Sequence, residues 1–207
     1  MGLAIGVGDL AAALRDDPEG SEGLEKDLDR LNTVLRQFGL PTHAEPRELP
    51  ELEYESVVSF PYSFLHYARR MYARLRRGKA AEPVAGDDLS PDDDTDIDAV
   101  SSLQDSHLLY HSDCDGYYVP IDFERPLFDE EITGGAVGST QGLLREINLI
   151  APLIGIELVD GEPTVAALEA LRAFDESHPF HIERVVWHTV FENCKFSLKH
   201  GSIIAFS

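Results

Sequence analysis

The sequence predicts an α+β fold of about five helices packed with a small antiparallel sheet or hairpin. Three observations carry that prediction. Several long segments repeat apolar residues at helical spacing. β-rich runs cluster in the middle of the chain and at its C-terminal end. The two kinds of segment do not alternate as regular strand–helix–strand units, which argues against a doubly wound parallel sheet. A chain of 207 residues suffices for one core, and residues 1–207 read as a single domain.

The N-terminal stretch Gly6-Val7-Gly8-Asp9-Leu10-Ala11 fits the dinucleotide pattern G-x-G-x-x-A. That chemistry needs a strand before the glycines and a second strand after the helix. Only five residues precede Gly6, so a glycine-rich start to a short helix is expected. Over Ser21 to Phe38, Leu24, Leu28, Leu31, Leu35 and Phe38 line one helical face. Ser21 suits the cap, Glu22 and Glu25 suit the positive end of the helix dipole, and Gly39 stops the helix.

Phe60 to Arg77 forms a second helix, with Phe64, Leu65, Ala68, Met71, Tyr72 and Leu75 on its buried face. Six of the seventeen basic residues fall between Arg69 and Lys79. Seven aspartates follow between Asp87 and Asp98, with almost no apolar content, so residues 84–100 read as an exposed acidic loop. HLLYHSD and YYVPIDF flank Cys114-Asp115-Gly116 and predict a hairpin. Further helices are expected from about Thr140 to Ala151, from Pro163 to about Glu176, and from His181 to Lys199. Asp160-Gly161 is a turn, and GSIIAFS is a short closing strand.

Charge is the unusual bulk property: 38 acidic against 17 basic residues, net −21. Such a field repels polyanions, so nucleic acid and anionic membranes are not expected partners, while a basic protein partner fits. The oligomeric state is left open. Two distant cysteines, Cys114 and Cys194, do not form a disulfide framework, and a cytoplasmic setting is expected. No basic leader region opens the chain, and no apolar run approaches the roughly 18 residues of a membrane span.

Candidate sites are few. On an extended strand His111, Asp113 and Asp115 would share one face, about 6–7 Å apart. Oxygen ligands with one imidazole suit a divalent metal ion, with Asp122, His107 or His188 as further donors. The competing reading makes Asp115-Gly116 an ordinary turn. Gly138, Ser139 and Thr140 open a helix and offer N–H groups to an anion. Tyr62, His66, Arg69 and Arg70, with Tyr117 and Tyr118, have the composition of a partner-binding surface. His181 and His188 stand seven residues apart, about 10.5 Å along a helix and too far for one ion.

The segments GDLAAALRDDPEGSEGLEKDLDRLNTVLRQFGLPTHAEP, FPYSFLHYARR, HSDCDGYYVPIDF and GSTQGLLREINLIAPLIGI resemble those of uncharacterised bacterial cytoplasmic proteins. In style they are similar to the small acidic immunity proteins of polymorphic-toxin systems. The resemblance implies a bacterial source and an interaction protein, and it transfers no functional residue. The expected function is therefore a non-enzymatic, immunity-like inhibitor of a basic protein partner that needs no cofactor. The alternative is a metal-dependent hydrolase built on His111, Asp113 and Asp115.

Overall fold

A computed structural model of the chain describes residues 2–16, 21–50, 59–84, 91–109 and 115–206. Within them the fold is α+β, with seven α-helices, a six-stranded mixed sheet and a separate two-stranded hairpin. Both helices and strands exceed the expected number. The strands are β1 (Gly2–Val7), β2 (Ser59–Pro61), β3 (Gly116–Val119), β4 (Leu127–Phe128), β5 (Ala136–Ser139), β6 (Leu158–Val159), β7 (Glu162–Pro163) and β8 (Ile204–Phe206). The helices are α1 (Asp9–Asp16), α2 (Ser21–Gln37), α3 (Tyr62–Arg76), α4 (Pro91–Ser101), α5 (Thr140–Ile150), α6 (Val165–Arg172) and α7 (His181–His200).

The main sheet runs β2-β1-β8-β3-β5-β4. Every pair in it is antiparallel except β3 with β5. Side chains alternate between its faces, as extended backbone requires. Leu3, Ile5, Tyr118, Ile204 and Phe206 join the larger core, which also draws on α3, α5 and α7. Tyr117, Val119, Val137, Ile203 and Ala205 face the other way, onto Leu31, Val34 and Leu35 of α2. The sheet is thus a middle layer, and β3 and β5 are buried at every position.

Two features of the first strand correct the sequence-based expectation. A strand does precede Gly8, whose φ of +84° makes the turn into α1. Yet β1 lies between β2 and β8, antiparallel to both, so no parallel strand–helix–strand unit forms. The expected hairpin over His107–Phe123 falls partly on residues 110–114, which lie outside the described residues, and no hairpin partner of β3 is found among the described ones. β3 has β8 on one edge and β5 on the other, which leaves no free edge for a preceding strand. Leu108 and Leu109 lie instead in a turn and still reach the core. The segment expected as an acidic loop carries α4 over Pro91–Ser101, with Asp96 and Val100 buried. Residues 85–90 lie outside the described residues.

Asp160 and Gly161 both hold positive φ, the requirement of a tight two-residue hairpin turn, and they join β6 to β7.

The turn at residues 106–108 is a polar hub inside the larger core. Glu146 of α5 accepts from Ser106 Oγ, His107 N and Leu108 N at 2.9, 3.0 and 2.7 Å. His107 is neutral: its Nδ1 accepts from Ser139 N at 3.1 Å and its Nε2 donates to Phe123 O at 3.1 Å. Its ring lies where a Cβ on Gly142 would stand, so only glycine fits there.

Burial pushes the His107 imidazole down from 6.5 to about 4. The unfolded chain takes up this proton near pH 6.5 and the folded chain only near pH 4. The stability tied to neutral His107 is therefore present above pH 6.5 and is lost as the pH falls towards 4. The full effect is about 3 kcal/mol. In urea denaturation at about pH 7 and about pH 4.5, His107→Gln should lose measurably less stability on acidification than the parent chain. Equal losses would remove His107 as a source of acid sensitivity.

Candidate functional site

Among the described residues, about half of the chain's seventeen Lys and Arg side chains are held in internal ion pairs. Arg30 of α2 reaches Asp129 at 2.5 Å and Glu131 at 2.8 Å, and Arg47 reaches Glu25 at 2.7 Å. On the basic end of α3, Arg74 pairs with Glu82 at 3.0 Å and Arg76 with Asp105 at 3.1 Å. Asp96 of α4 takes both Arg77 at 3.3 Å and Lys79 at 2.6 Å. Arg145 pairs with Asp122 at 2.7 Å, and Lys195 pairs with Glu162. With a net charge of −21, the carboxylates in excess of these pairs set the character of the surface.

One such surface is built on α2 and the segment joining β4 to β5. The leucine face of α2 is fixed against the sheet, which turns Glu22 and Asp29 outward. Glu22, Glu25 and Asp29 stand three and four residues apart, about 4.5 and 6 Å along the axis. Arg30 ties this helix to Asp129 and Glu131, with Glu130 exposed between them. Asp27 accepts a hydrogen bond from the Tyr117 hydroxyl on β3. B-DNA presents a phosphate every ~3.4 Å of axis on each strand, so the carboxylate spacing on α2 is of the same order. The Asp129-Glu130-Glu131 run was visible in the sequence. Its adjacency to α2 depends on Arg30, about a hundred residues away in the chain.

The residues expected to bind a partner are mostly interior. Arg69 and Arg70 are 5% and 3% exposed, and Tyr117 and Tyr118 are 6% and 1% exposed. Arg69 Nε donates to Leu108 O at 2.9 Å, Arg70 Nη1 donates to Glu82 O at 2.7 Å, and Tyr118 Oη donates to His107 O at 2.8 Å. These side chains satisfy backbone carbonyls of irregular segments, and packing of α3 against α4, α5 and α7 closes them off. Tyr62 and His66 are half-buried.

The residues expected to bind an anion are also interior. Gly138, Ser139 and Thr140 are buried, and a Cβ on Gly138 would lie 2.2 Å from the Tyr118 ring. Ser139 Oγ accepts from Gly142 N at 3.0 Å, and Thr140 Oγ1 meets Ser197 Oγ at 3.3 Å. The helix start is thus capped from within.

His111, Asp113 and Cys114 lie outside the described residues, and Asp115 is exposed. The further donors weighed for a metal are engaged elsewhere. Both nitrogens of His107 are used, Asp122 pairs with Arg145, and His188 is buried on α7. Among the described residues no group of three or more His, Cys, Asp or Glu side chains is placed to hold a metal ion. Cys194 is buried and its thiol is pushed far above the ordinary range by desolvation. No helix among the described residues is long and apolar enough to cross a membrane.

No curated protein and no solved structure shows a significant match to the chain. A family model described as Putative DNA-mimic protein matches residues 1–206. This corrects the expectation of partners without nucleic acid, because the family is described as mimicking DNA, while the expected basic partner fits. With the match spanning residues 1–206, the chain belongs to the Putative DNA-mimic protein family.

Proposed function

We propose that the protein is a non-enzymatic decoy that occupies the DNA-binding surface of a basic protein. The observation that carries this reading is the distribution of charge. The net charge is −21 while about half of the seventeen Lys and Arg side chains are held in internal ion pairs, so a partner meets chiefly carboxylates. Proteins that grip DNA do so chiefly by neutralising phosphates with Lys and Arg, and a rigid display of carboxylates engages the same side chains. Family membership supports the reading. The face built from Glu22, Asp29, Glu130 and Glu131 is the surface we assign to the partner. An inhibitor acting in a bacterial cytoplasm, as immunity proteins do, is one form this role takes.

The immobilised full chain, exposed to a lysate of its source organism, should retain DNA-binding proteins that duplex DNA then releases. Retention should fall steeply with salt, as expected where many charge pairs form. With an identified partner, Asp29→Lys combined with Glu130→Lys and Glu131→Lys should weaken binding about 10- to 100-fold, mainly through complementarity of charge. Retained proteins that duplex DNA does not displace would contradict the proposal.

A further inference from the structure

Between α6 and the first half of α7 lies a cavity of about 230 Å³. Its polar lining is His178, His181, Arg184, His188 and Asp175, with Phe174 on the wall. In a chain of net charge −21 this cluster is unusual for its excess of groups that are or can become cationic.

Arg184 shows what is missing. The guanidinium is half-buried, and burial lowers its proton affinity. Its Nη1 lies 3.1 Å from His178 Nε2, an imidazole nitrogen. Among the described residues no carboxylate approaches it within ion-pair distance, unlike Arg30, Arg47, Arg74, Arg76, Arg77 and Arg145. Asp175 lines the same cavity and acts on Arg184 through its charge, but it stands outside ion-pair distance, and its Oδ1 accepts from Ser177 N at 3.0 Å and from Ser177 Oγ at 2.6 Å. His178 Nδ1 accepts from the N–H of Phe180 at 3.1 Å, so the neutral ring carries its proton on Nε2, which meets the Arg184 N–H with no acceptor for either among the described residues. Phe174 adds a backbone sign of a constrained site: it holds φ at +45° without being glycine.

We propose that this cavity binds a small oxyanion, a phosphate or a carboxylate group, held by the Arg184 guanidinium with His178 and His181. A guanidinium offers paired N–H donors in the geometry that such oxygens accept. The volume equals about eight waters at ~30 Å³ each, enough for the anion and a few further atoms. Burial and then the charge of Arg184 lower the proton affinity of His178, and an anion beside Arg184 offsets the second of these, so binding favours the protonated His178 ring. His178 is faced by Arg184, Asp175 and His181, and His188 by Arg172 and Glu192. This site is separate from the carboxylate face assigned to the protein partner.

Calorimetric titration of the full chain with inorganic phosphate, and separately with malonate, tests the proposal at about pH 6 and about pH 7.5. Saturable binding of at least one anion, tighter at the lower pH, is expected. The two titrations tell a phosphate site from a carboxylate site. Arg184→Gln should weaken binding about 10- to 100-fold, the range for a lost charge-assisted hydrogen bond. Arg184→Lys should restore part of it, and Arg145→Gln, which removes an exposed arginine outside the cavity, should leave it unchanged. Circular dichroism verifies folding. If Arg184→Gln does not fold, His181→Ala replaces it and should weaken binding several-fold at about pH 6. Absence of saturable binding by both anions, or equal losses in Arg184→Gln and Arg145→Gln, would overturn the proposal.

Discussion

Trp187→Ala should be the most destabilising single substitution in the core, costing about 4–5 kcal/mol. The indole is 0% exposed, and its ring stacks on Phe191 with centroids 4.7 Å apart and planes within 14°. Truncation of a buried aromatic costs about 3–5 kcal/mol from lost transfer and the cavity left behind. Lost ring pairing adds about 1 kcal/mol. A polar loss compounds these. The indole N–H donates to Ile147 O at 2.9 Å, where α5 ends and passes into a 3₁₀ turn over Ala151–Ile154. The bond ties α7 to the last turn of α5, and its loss removes a buried contact between the two helices. Trp187→Phe should recover most of the stacking and none of the hydrogen bond. Urea denaturation followed by circular dichroism measures the cost directly. The chain holds one tryptophan, so tryptophan emission would vanish with the substitution and cannot report the transition. A loss below about 2 kcal/mol would show that the neighbouring helices collapse into the space.

Glu146→Ala should follow closely, at about 3–5 kcal/mol. The carboxylate is 7% exposed and is the common acceptor for Ser106 Oγ, His107 N and Leu108 N. Burial pushes its proton affinity up, and the hydrogen bonds from Leu108, His107 and Ser106 oppose that shift. Removing it leaves buried N–H donors unpaired, each costing about 1–3 kcal/mol. The same turn supplies Leu108 O to Arg69 and His107 O to Tyr118, so α3 and β3 feel the loss as well. Glu146→Gln keeps one acceptor oxygen and should cost less than the alanine variant. Hydrogen exchange at the His107 and Leu108 amides gives the local readout. Protection that persists in Glu146→Ala would mean that another acceptor takes over.

The contrast between these two residues also shows what could be read in advance. Trp187 stands in the helix expected from His181 to Lys199, which forms over His181–His200. The helices expected to begin at Ser21 and Thr140 begin there, because leucine and isoleucine spacing and an N-terminal Ser or Thr are local signals. Glu146 carried no such signal. Its role arises from a turn some forty residues earlier that folds onto α5. The helix over Pro91–Ser101 was hidden by its aspartates, which are poor formers of an isolated helix. Packing on α3, and the pairing of Asp96 with Arg77 and Lys79, support it in the folded chain.

The candidate surfaces divide along the same line. The acidity and the expectation of a basic protein partner were legible in composition alone. Which carboxylates stand together was not, since Arg30 joins Asp29's helix to Asp129 and Glu131 only in three dimensions. Arginines and tyrosines that resembled an interface in one dimension became interior hydrogen-bond donors in three. His178 and Arg184, far from any recognisable ligand spacing, came to share a cavity.

By itself, the sequence determined the charge, the α+β class and the long amphipathic helices, because each depends on counts or on periods within a few residues. Tertiary structure alone decided the sheet order, with the C-terminal strand β8 between β1 and β3. It also decided which polar groups are buried and which carboxylates face solvent. The physical reason is that strand pairing and the burial of a charged side chain depend on partners far away in the chain. No local pattern records those partners.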